Sequence, residues 1–255
     1  MKVVVLAGGL GTRLSEETDV RPKPMVEIGG KPILWHIMRH YAHYGFKEFV
    51  VALGYKGDAI KHYFLNYNTL NGDLTIDLSS GALTVQKKTC EDWIVHLVDT
   101  GQHTPTGGRV KRLEPWLHKD DRFMLTYGDG VSDIDLTKLV EFHRAHGRLA
   151  TVTAVRPPAR FGGLVMDRDV VTEFTEKGHI SEGWINGGYM VLERGVFQYL
   201  ASEDDSLEAN ALERLAAASQ LAAYRHDRFW QCMDTLRDVR LLQSLWQNGN
   251  PPWTV

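Results

Sequence analysis

Residues 2–14 read KVVVLAGGLGTRL, a β-branched apolar run that stops at paired glycines. A short, unbroken apolar run bounded by turn residues predicts a strand buried on both faces, the environment of a parallel sheet covered by helices. The residues after the strand are less ordinary. Gly8, Gly9 and Gly11 lead into Thr12 and Arg13, and Lys23 then sits between Pro22 and Pro24. Glycines let backbone N–H groups come close to a neighbour, and the prolines keep the lysine out of a regular helix.

Outward from this stretch the pattern alternates. KPILWHIMRHYAHYGF (31–46) has apolar residues at Ile33, Leu34, Ile37, Met38 and Tyr41, with Pro32 at its start and Gly45 at its end, and predicts a helix. EFVVALGY (48–55) predicts a second buried strand and GDAIKHYFLNY (57–67) a second helix, so the chain begins as a parallel α/β sheet. DLTIDLSSGALTVQKK (73–88) alternates on both sides of Ser80-Gly81 and predicts a hairpin. WIVHLVDTG, RFMLTYGDG, LATVTAV, DVVTEFTEK and INGGYMVLE predict further strands. The helices expected later are RVKRLEPWL, DLTKLVEFHRAHG and DTLRDVRLLQSLWQNG. A loop, QHTPTGG (102–108), precedes the first of these, with Gly107 and Gly108 letting the chain turn; Thr235 and Asp238 are the N-cap pair of the last. With no repeat and no linker, residues 1–255 are expected to form one α/β domain around a mixed, mostly parallel sheet flanked by helices.

Composition narrows the function. The net charge is −3 and basic residues form no stripe, so no nucleic-acid partner and no anionic membrane surface is expected. Cys90 and Cys232 are too few and too far apart for a disulfide framework or a zinc ribbon. No signal-peptide pattern opens the sequence and no apolar run approaches the ~20 residues of a spanning helix, so a soluble, cytoplasmic protein is expected.

Two common phosphate motifs do not fit. A P-loop needs Gly-Lys before Ser or Thr, which does not occur. A dinucleotide fingerprint starting at Gly9 would place its third glycine on Leu14, and no acidic residue closes the second strand. What remains is a glycine-rich turn at the carboxyl end of the first strand, the edge where open α/β sheets bind ligands. Backbone N–H groups, the Arg13 guanidinium and the Lys23 ammonium would suit phosphate oxygens. Taken alone, the same residues also describe a surface loop with two solvated cations.

The stretch LAGGLGTRLSEETDVRPKPMVEIGGKPILWHIM resembles the G-x-G-T-R-L and P-K-P signature of the sugar-1-phosphate nucleotidyltransferases. LVDTGQHTPTGGRVKR, TYGDGVSDID, INGGYMVL and FWQCMDTLRD extend the resemblance to about Trp253 and narrow it to members using CTP and α-D-glucose 1-phosphate. The resemblance implies a Rossmann-like nucleotidyltransferase fold and attack of a sugar-phosphate oxygen on the α-phosphorus of a nucleoside triphosphate. A phosphomonoester has its second pKa near ~6, so that nucleophile is ionised at neutral pH and needs no general base. The demand is for positioning and positive charge, which agrees with the lack of a Ser-His-Asp or Cys-His pattern.

By the same resemblance, Leu6, Ala7, Gly8, Gly9 and Leu10 face the base and ribose, and Gly11, Thr12 and Arg13 the triphosphate. Lys23 goes with the reacting phosphates, and Thr104, Arg109 and Gly128 are further nucleotide positions, with Arg109 able to reach a neighbouring subunit. Lys177 matches the lysine that holds the sugar phosphate, with Glu176 beside it, although Gly178 replaces the proline usual after that lysine. Asn186 and Gly187 line the sugar pocket, or form a bulged strand. Asp129 and Asp234 are the implied Mg²⁺ ligands; a turn aspartate and a helix N-terminal charge are the plainer alternatives. A homo-oligomer, with a hexamer as the candidate state, is implied too. Asp133-Ile134-Asp135 reads as a helix cap rather than a metal motif. His36 and His40, four apart on one helix face, read as packing or subunit-contact residues rather than zinc ligands, and the tryptophans as core or interface. Three rivals stand beside this reading: the same reaction with another nucleotide or sugar phosphate, a glycosyltransferase, and a catalytically silent nucleotide-binding protein.

Overall fold

A computed structural model of the chain describes residues 1–18, 20–86, 90–157, 163–167, 170–175 and 183–254; for 163–167, 170–175, 13, 15 and 16 it is the backbone that is described. The expected strands appear as β1 (Val3–Leu6), β2 (Glu48–Leu53), β3 (Ile94–Asp99), β4 (Arg122–Tyr127), β5 (Ala150–Val155) and β6 (Ile185–Glu193), joined by β7 (Leu221–His226). They form one seven-stranded sheet in the order β7-β5-β6-β4-β1-β2-β3. β1 pairs parallel with β2 and β4, β2 with β3, and β5 with β7, whereas β6 runs antiparallel to both β4 and β5. The sheet is mixed and mostly parallel, as expected.

The helices used below are α1 (Ile33–His43), α2 (Gly57–Leu65), α3 (Thr106–Arg112), α4 (Leu136–His146) and α5 (Leu236–Gln247). The apolar run of β1 is explained by what covers it. Val3 and Val5 pack on the side of Ile33, Leu34, Ile37 and Met38, while Val4 and Leu6 pack on the side of Val110, Leu113 and Leu207. Successive strand residues point to opposite faces, so a strand covered on both must be apolar at every position.

Caps agree with the sequence. The Asp135 carboxylate accepts from the Lys138 N–H at the start of α4, so the Asp133–Asp135 stretch is a cap. Thr235 and Asp238 form a reciprocal capping box on α5. His36 and His40 are buried, with Nε2 atoms against the carbonyls of Ile28 and Ile134 at 2.8 and 2.9 Å, and burial lowers the His40 pKa to about 4. Both are packing residues within this chain.

Two corrections concern the middle of the chain. Helix α3 starts at Thr106, so Gly107 and Gly108 lie inside it rather than in a preceding turn. Their role is close approach: a Cβ on Gly108 would stand 1.8 Å from the Glu203 carbonyl oxygen, and one on Gly107 2.5 Å from that of Asp205. The segment after β6, for which the sequence predicts no element, folds as a 3₁₀-helix (Arg194–Tyr199), a π-helix (Leu207–Leu212), a short α-helix (Glu213–Ala217) and β7. The π-helix packs on α3.

Candidate functional site

The connection from β1 returns through α1 to β2 on one side, while β4 lies on the other side of β1. At such a switch point the loops leaving adjacent strands part and leave a crevice at their carboxyl ends. The glycine turn after β1 and the Gly128-Asp129 turn after β4 meet there. The Gly128 N–H donates to the Leu6 carbonyl at 3.0 Å, and a Cβ on Gly128 would lie 2.9 Å from that same oxygen. Only glycine lets the two turns approach this closely.

A cavity of about 340 Å³ opens at the crevice. It is lined by Leu6, Ala7, Gly8, Gly9, Gly11, Thr12, Lys23, Thr104, Arg109, Gly128 and Asp129, most of the residues named for the nucleotide. Leu10 is not among the lining residues and is 47% exposed. Arg13 lies on a 3₁₀ turn beside the cavity (Thr12–Leu14). Gly11 adopts φ +66°, a conformation that favours glycine, and a Cβ there would stand 2.7 Å from the Thr18 side chain.

A second cavity of about 770 Å³ adjoins the first and shares Tyr127 and Asp129 with it. Asn186, Gly187, Trp230, Asp234 and Arg237 also line it. β6 carries a register shift opposite β5 at this point, so the bulged-strand reading of Asn186-Gly187 holds, and the bulge faces the cavity. Gly188 has φ +83°, and a Cβ there would sit 2.5 Å from the Tyr127 ring. The Asn186 amide donates to the Tyr127 hydroxyl at 3.3 Å and accepts from the Gly188 N–H at 2.9 Å. Trp230, expected in the core or an interface, is half-buried in this wall and donates its indole N–H to the Gly187 carbonyl at 2.7 Å. Glu176 and Lys177 lie outside the described residues.

Where the cavities meet, Lys23 is 8% exposed and its ammonium donates to Asp129 Oδ2 and Asp234 Oδ1, both at 2.6 Å. Burial acts against its charge, but the two carboxylates outweigh burial and raise the Lys23 pKa above 10.5. Three residues separated by more than a hundred positions thus converge on one point. Asp234 comes in through its own N–H, which donates to Asp238 at 3.0 Å and joins it to the capping box of α5. Among the described residues no group of three or more His, Cys, Asp or Glu side chains could hold a metal ion, so these two carboxylates would need ligand oxygens to complete a coordination sphere. Cys232 lies beside Asp234, and burial with that nearby charge pushes its thiol up to about 12. It stays protonated and is no nucleophile at neutral pH.

Arg109 is 4% exposed and differently engaged. Its guanidinium donates to the carbonyls of Leu53, Gly101, Gly8 and Gln102 and to the Thr100 hydroxyl, at 2.7–3.1 Å. It ties the glycine turn to the ends of β2 and β3 in its own chain. Nothing in the sequence signals this, since carbonyl acceptors are present at every residue.

The sequence matches the nucleotidyl transferase family over residues 2–250. It is 49% identical over 253 residues to a glucose-1-phosphate cytidylyltransferase of Salmonella typhi, covering 99% of this chain and 98% of that protein. It is 28% identical over 247 residues to a mannose-1-phosphate guanyltransferase of Candida albicans, covering 93% of this chain and 62% of that one. The fold matches the crystal structure of HddC from Yersinia pseudotuberculosis with a TM-score of 0.67 at 24% identity, over 96% and 99% of the two chains. With the glycine crevice, the paired cavities and a family match that spans nearly the whole sequence, the chain belongs to the nucleotidyl transferase family.

Proposed function

We propose that this protein transfers a cytidylyl group from CTP to α-D-glucose 1-phosphate, releasing pyrophosphate and forming CDP-glucose. The observation that carries the reading is the junction of the cavities, where Asp129, Lys23 and Asp234 meet between a nucleotide-sized crevice and a larger pocket. A transfer between two anionic substrates needs such a charged point between their sites. The choice of CTP and glucose 1-phosphate rests on the 49% identity to the Salmonella typhi protein of that name.

The sugar phosphate would attack from the larger cavity, and pyrophosphate would leave on the side of the glycine turn, in line with the attacking oxygen. Backbone N–H groups of Gly8 to Thr12, with Arg13, hold the triphosphate. Lys23 and Lys177 supply positive charge to the reacting phosphates, and Glu176, Asn186 and Gly187 orient the sugar. No residue need remove a proton, because the phosphate nucleophile is already ionised.

A divalent ion fits the site's donors. Two carboxylate oxygens converge on one cationic atom, the Lys23 ammonium, and hard oxygen donors with room for phosphate oxygens are what Mg²⁺ prefers. Bound there by Asp129 and Asp234, Mg²⁺ would neutralise phosphate charge and polarise the α-phosphorus. Lys23 would then be released from the carboxylates to the phosphates.

No helix among the described residues is long and apolar enough to cross a membrane. A cytoplasmic homo-oligomer, with a hexamer as the candidate state, completes the reading. Pyrophosphate release by the purified protein with Mg²⁺, α-D-glucose 1-phosphate and each of CTP, UTP, dTTP, ATP and GTP tests it. Release with CTP is expected. Preference for another nucleotide would overturn the base, and no release with any would overturn the substrate pair.

A further inference from the structure

Glu208 lines neither cavity, yet it is tied to both. It lies in the first turn of the π-helix Leu207–Leu212, with Ser206 as the N-cap. One carboxylate oxygen accepts from the Tyr127 hydroxyl at 2.5 Å. The other accepts from the Thr106 hydroxyl at 2.6 Å and from the Ser206 hydroxyl at 2.8 Å. Thr106 opens α3 and lines the nucleotide-side cavity; Tyr127 lines both cavities and meets Asn186 on the sugar side. A single carboxylate therefore connects a wall of one cavity to a wall of the other.

The setting of this carboxylate is built rather than incidental. The Thr106 hydroxyl also accepts from the Leu207 N–H at 2.9 Å, so α3 and the π-helix are bonded in both directions. Gly107 and Gly108 admit the 203–207 backbone at distances no side chain would permit. The Asp205 carboxylate holds that segment in turn, accepting from the N–H groups of Ala201 and Ser202 and from Arg214. π-helical turns are rare and cluster at functional sites, because the extra residue redirects one side chain. Here it is Glu208 that is turned toward Tyr127. Burial would raise the Glu208 pKa, but the three hydroxyl donors outweigh it and hold it below the usual carboxylate range. An ionised carboxylate can only accept, so the hydroxyls of Tyr127 and Thr106 must both point at it. The Tyr127 oxygen is left with its acceptor side toward Asn186 and the larger cavity.

We infer that Glu208 is a positioning residue that sets the Tyr127 hydroxyl and the start of α3 together, so that the sugar-side and nucleotide-side cavities are shaped by one carboxylate. The inference rests on the proposed reaction for its choice of substrates. Glu208→Gln keeps the size but puts an amide NH2 where one oxygen accepted, so the hydroxyl on that side turns away. The link between the two walls is then broken, and neither wall is held by the other.

The test is steady-state kinetics of the full chain with CTP, α-D-glucose 1-phosphate and Mg²⁺. Glu208→Gln is expected to raise KM for both substrates several-fold, with a smaller change in kcat. Thr106→Val should raise KM most for CTP and Tyr127→Phe most for the sugar phosphate, each with a smaller rise in the other KM, because the two hydroxyls share one carboxylate. Because both act through one carboxylate, the Thr106→Val/Tyr127→Phe double variant should fall short of the product of the single effects. That pair also decides the question if Glu208→Gln fails to fold. Both KM values within about twofold of wild type in a folded Glu208→Gln variant, or fully multiplicative single effects, would overturn the inference. Absence of wild-type turnover would instead count against the proposed reaction. Calorimetric binding of CTP and of glucose 1-phosphate to the same variants then reads Glu208 directly, with affinity loss for both expected and loss for one or neither overturning it.

Discussion

Lys23 and Arg109 are both buried cations on the wall of the same cavity, and they are held in opposite ways. Lys23 is held by two carboxylates, groups that a metal ion or a change of ligand can take from it. Arg109 is held by four carbonyls and a hydroxyl, neutral acceptors supplied by the ends of two strands and the glycine turn. A compact ammonium on a flexible stem suits a charge that must change partners, and a planar five-donor fork suits a fixed brace. One cation is thus held in a way that lets it change partners, and the other as a fixed brace.

The largest effect that could break this contrast is at Asp129. Asp129→Asn should lower the rate of pyrophosphate release by about 10²–10³-fold, the scale of losing one electrostatic group at a reacting centre, with the far-UV circular dichroism unchanged. An active variant would remove Asp129 from the chemistry. Arg109→Lys should act on stability first. It keeps the charge but cannot reach all five acceptors, and each buried acceptor left unmatched costs about 1–3 kcal/mol. A fall in denaturation midpoint of several degrees is expected; an unchanged midpoint with lost activity would make Arg109 a phosphate ligand instead.

Lys23 sharpens the contrast through pH and metal. Its folded pKa is raised, so its stabilising contribution is complete below pH 10.5 and is lost only as pH climbs through the higher folded value. Lys23→Met should therefore lose stability by a constant amount across neutral pH, with the gap to wild type closing only in strong alkali. Mg²⁺ should raise the melting temperature of this variant more than that of wild type, because no ammonium has to be displaced. Equal shifts would mean the ion and the lysine do not share a site. Gly128→Ala should cost about 1–3 kcal/mol, since the added methyl meets the Leu6 carbonyl at 2.9 Å. The smallest effect is at Cys232. With its thiol pushed up to about 12, alkylation at pH 8 should run on the order of a hundredfold slower than for a free thiol, and activity should be retained. Fast alkylation would show that the pocket opens.

Legibility in the sequence differs by element. The strands β1 to β6 and the helices α1, α2, α4 and α5 come from local patterns: continuous apolar runs, a proline or acid at the start, a glycine at the end. Gly107 and Gly108 mislead, because a glycine pair reads as a turn when its neighbours are unknown, and their neighbour is a backbone nearly a hundred residues later. Trp230 and Glu208 do not stand out as site residues for a related reason. A tryptophan or a glutamate has no local mark that says whether its partner is solvent, core or a ligand wall.

By itself the sequence determined the α/β alternation, the glycine turn at the end of the first strand and the set of chemically capable residues, since these depend on propensity, periodicity and side-chain type. Only the tertiary structure decided which of those residues share a point. Asp129, Lys23 and Asp234 meet because the sheet order places β1 beside β4, and because Trp230–Cys232 pairs antiparallel with Gly130–Ser132 and so brings Asp234 alongside Asp129. Arg109 became a brace because α3 brings it within reach of carbonyls from three separate strand ends and turns. Hydrogen bonds and ion pairs act over about 3 Å in space, and chain distance does not enter them.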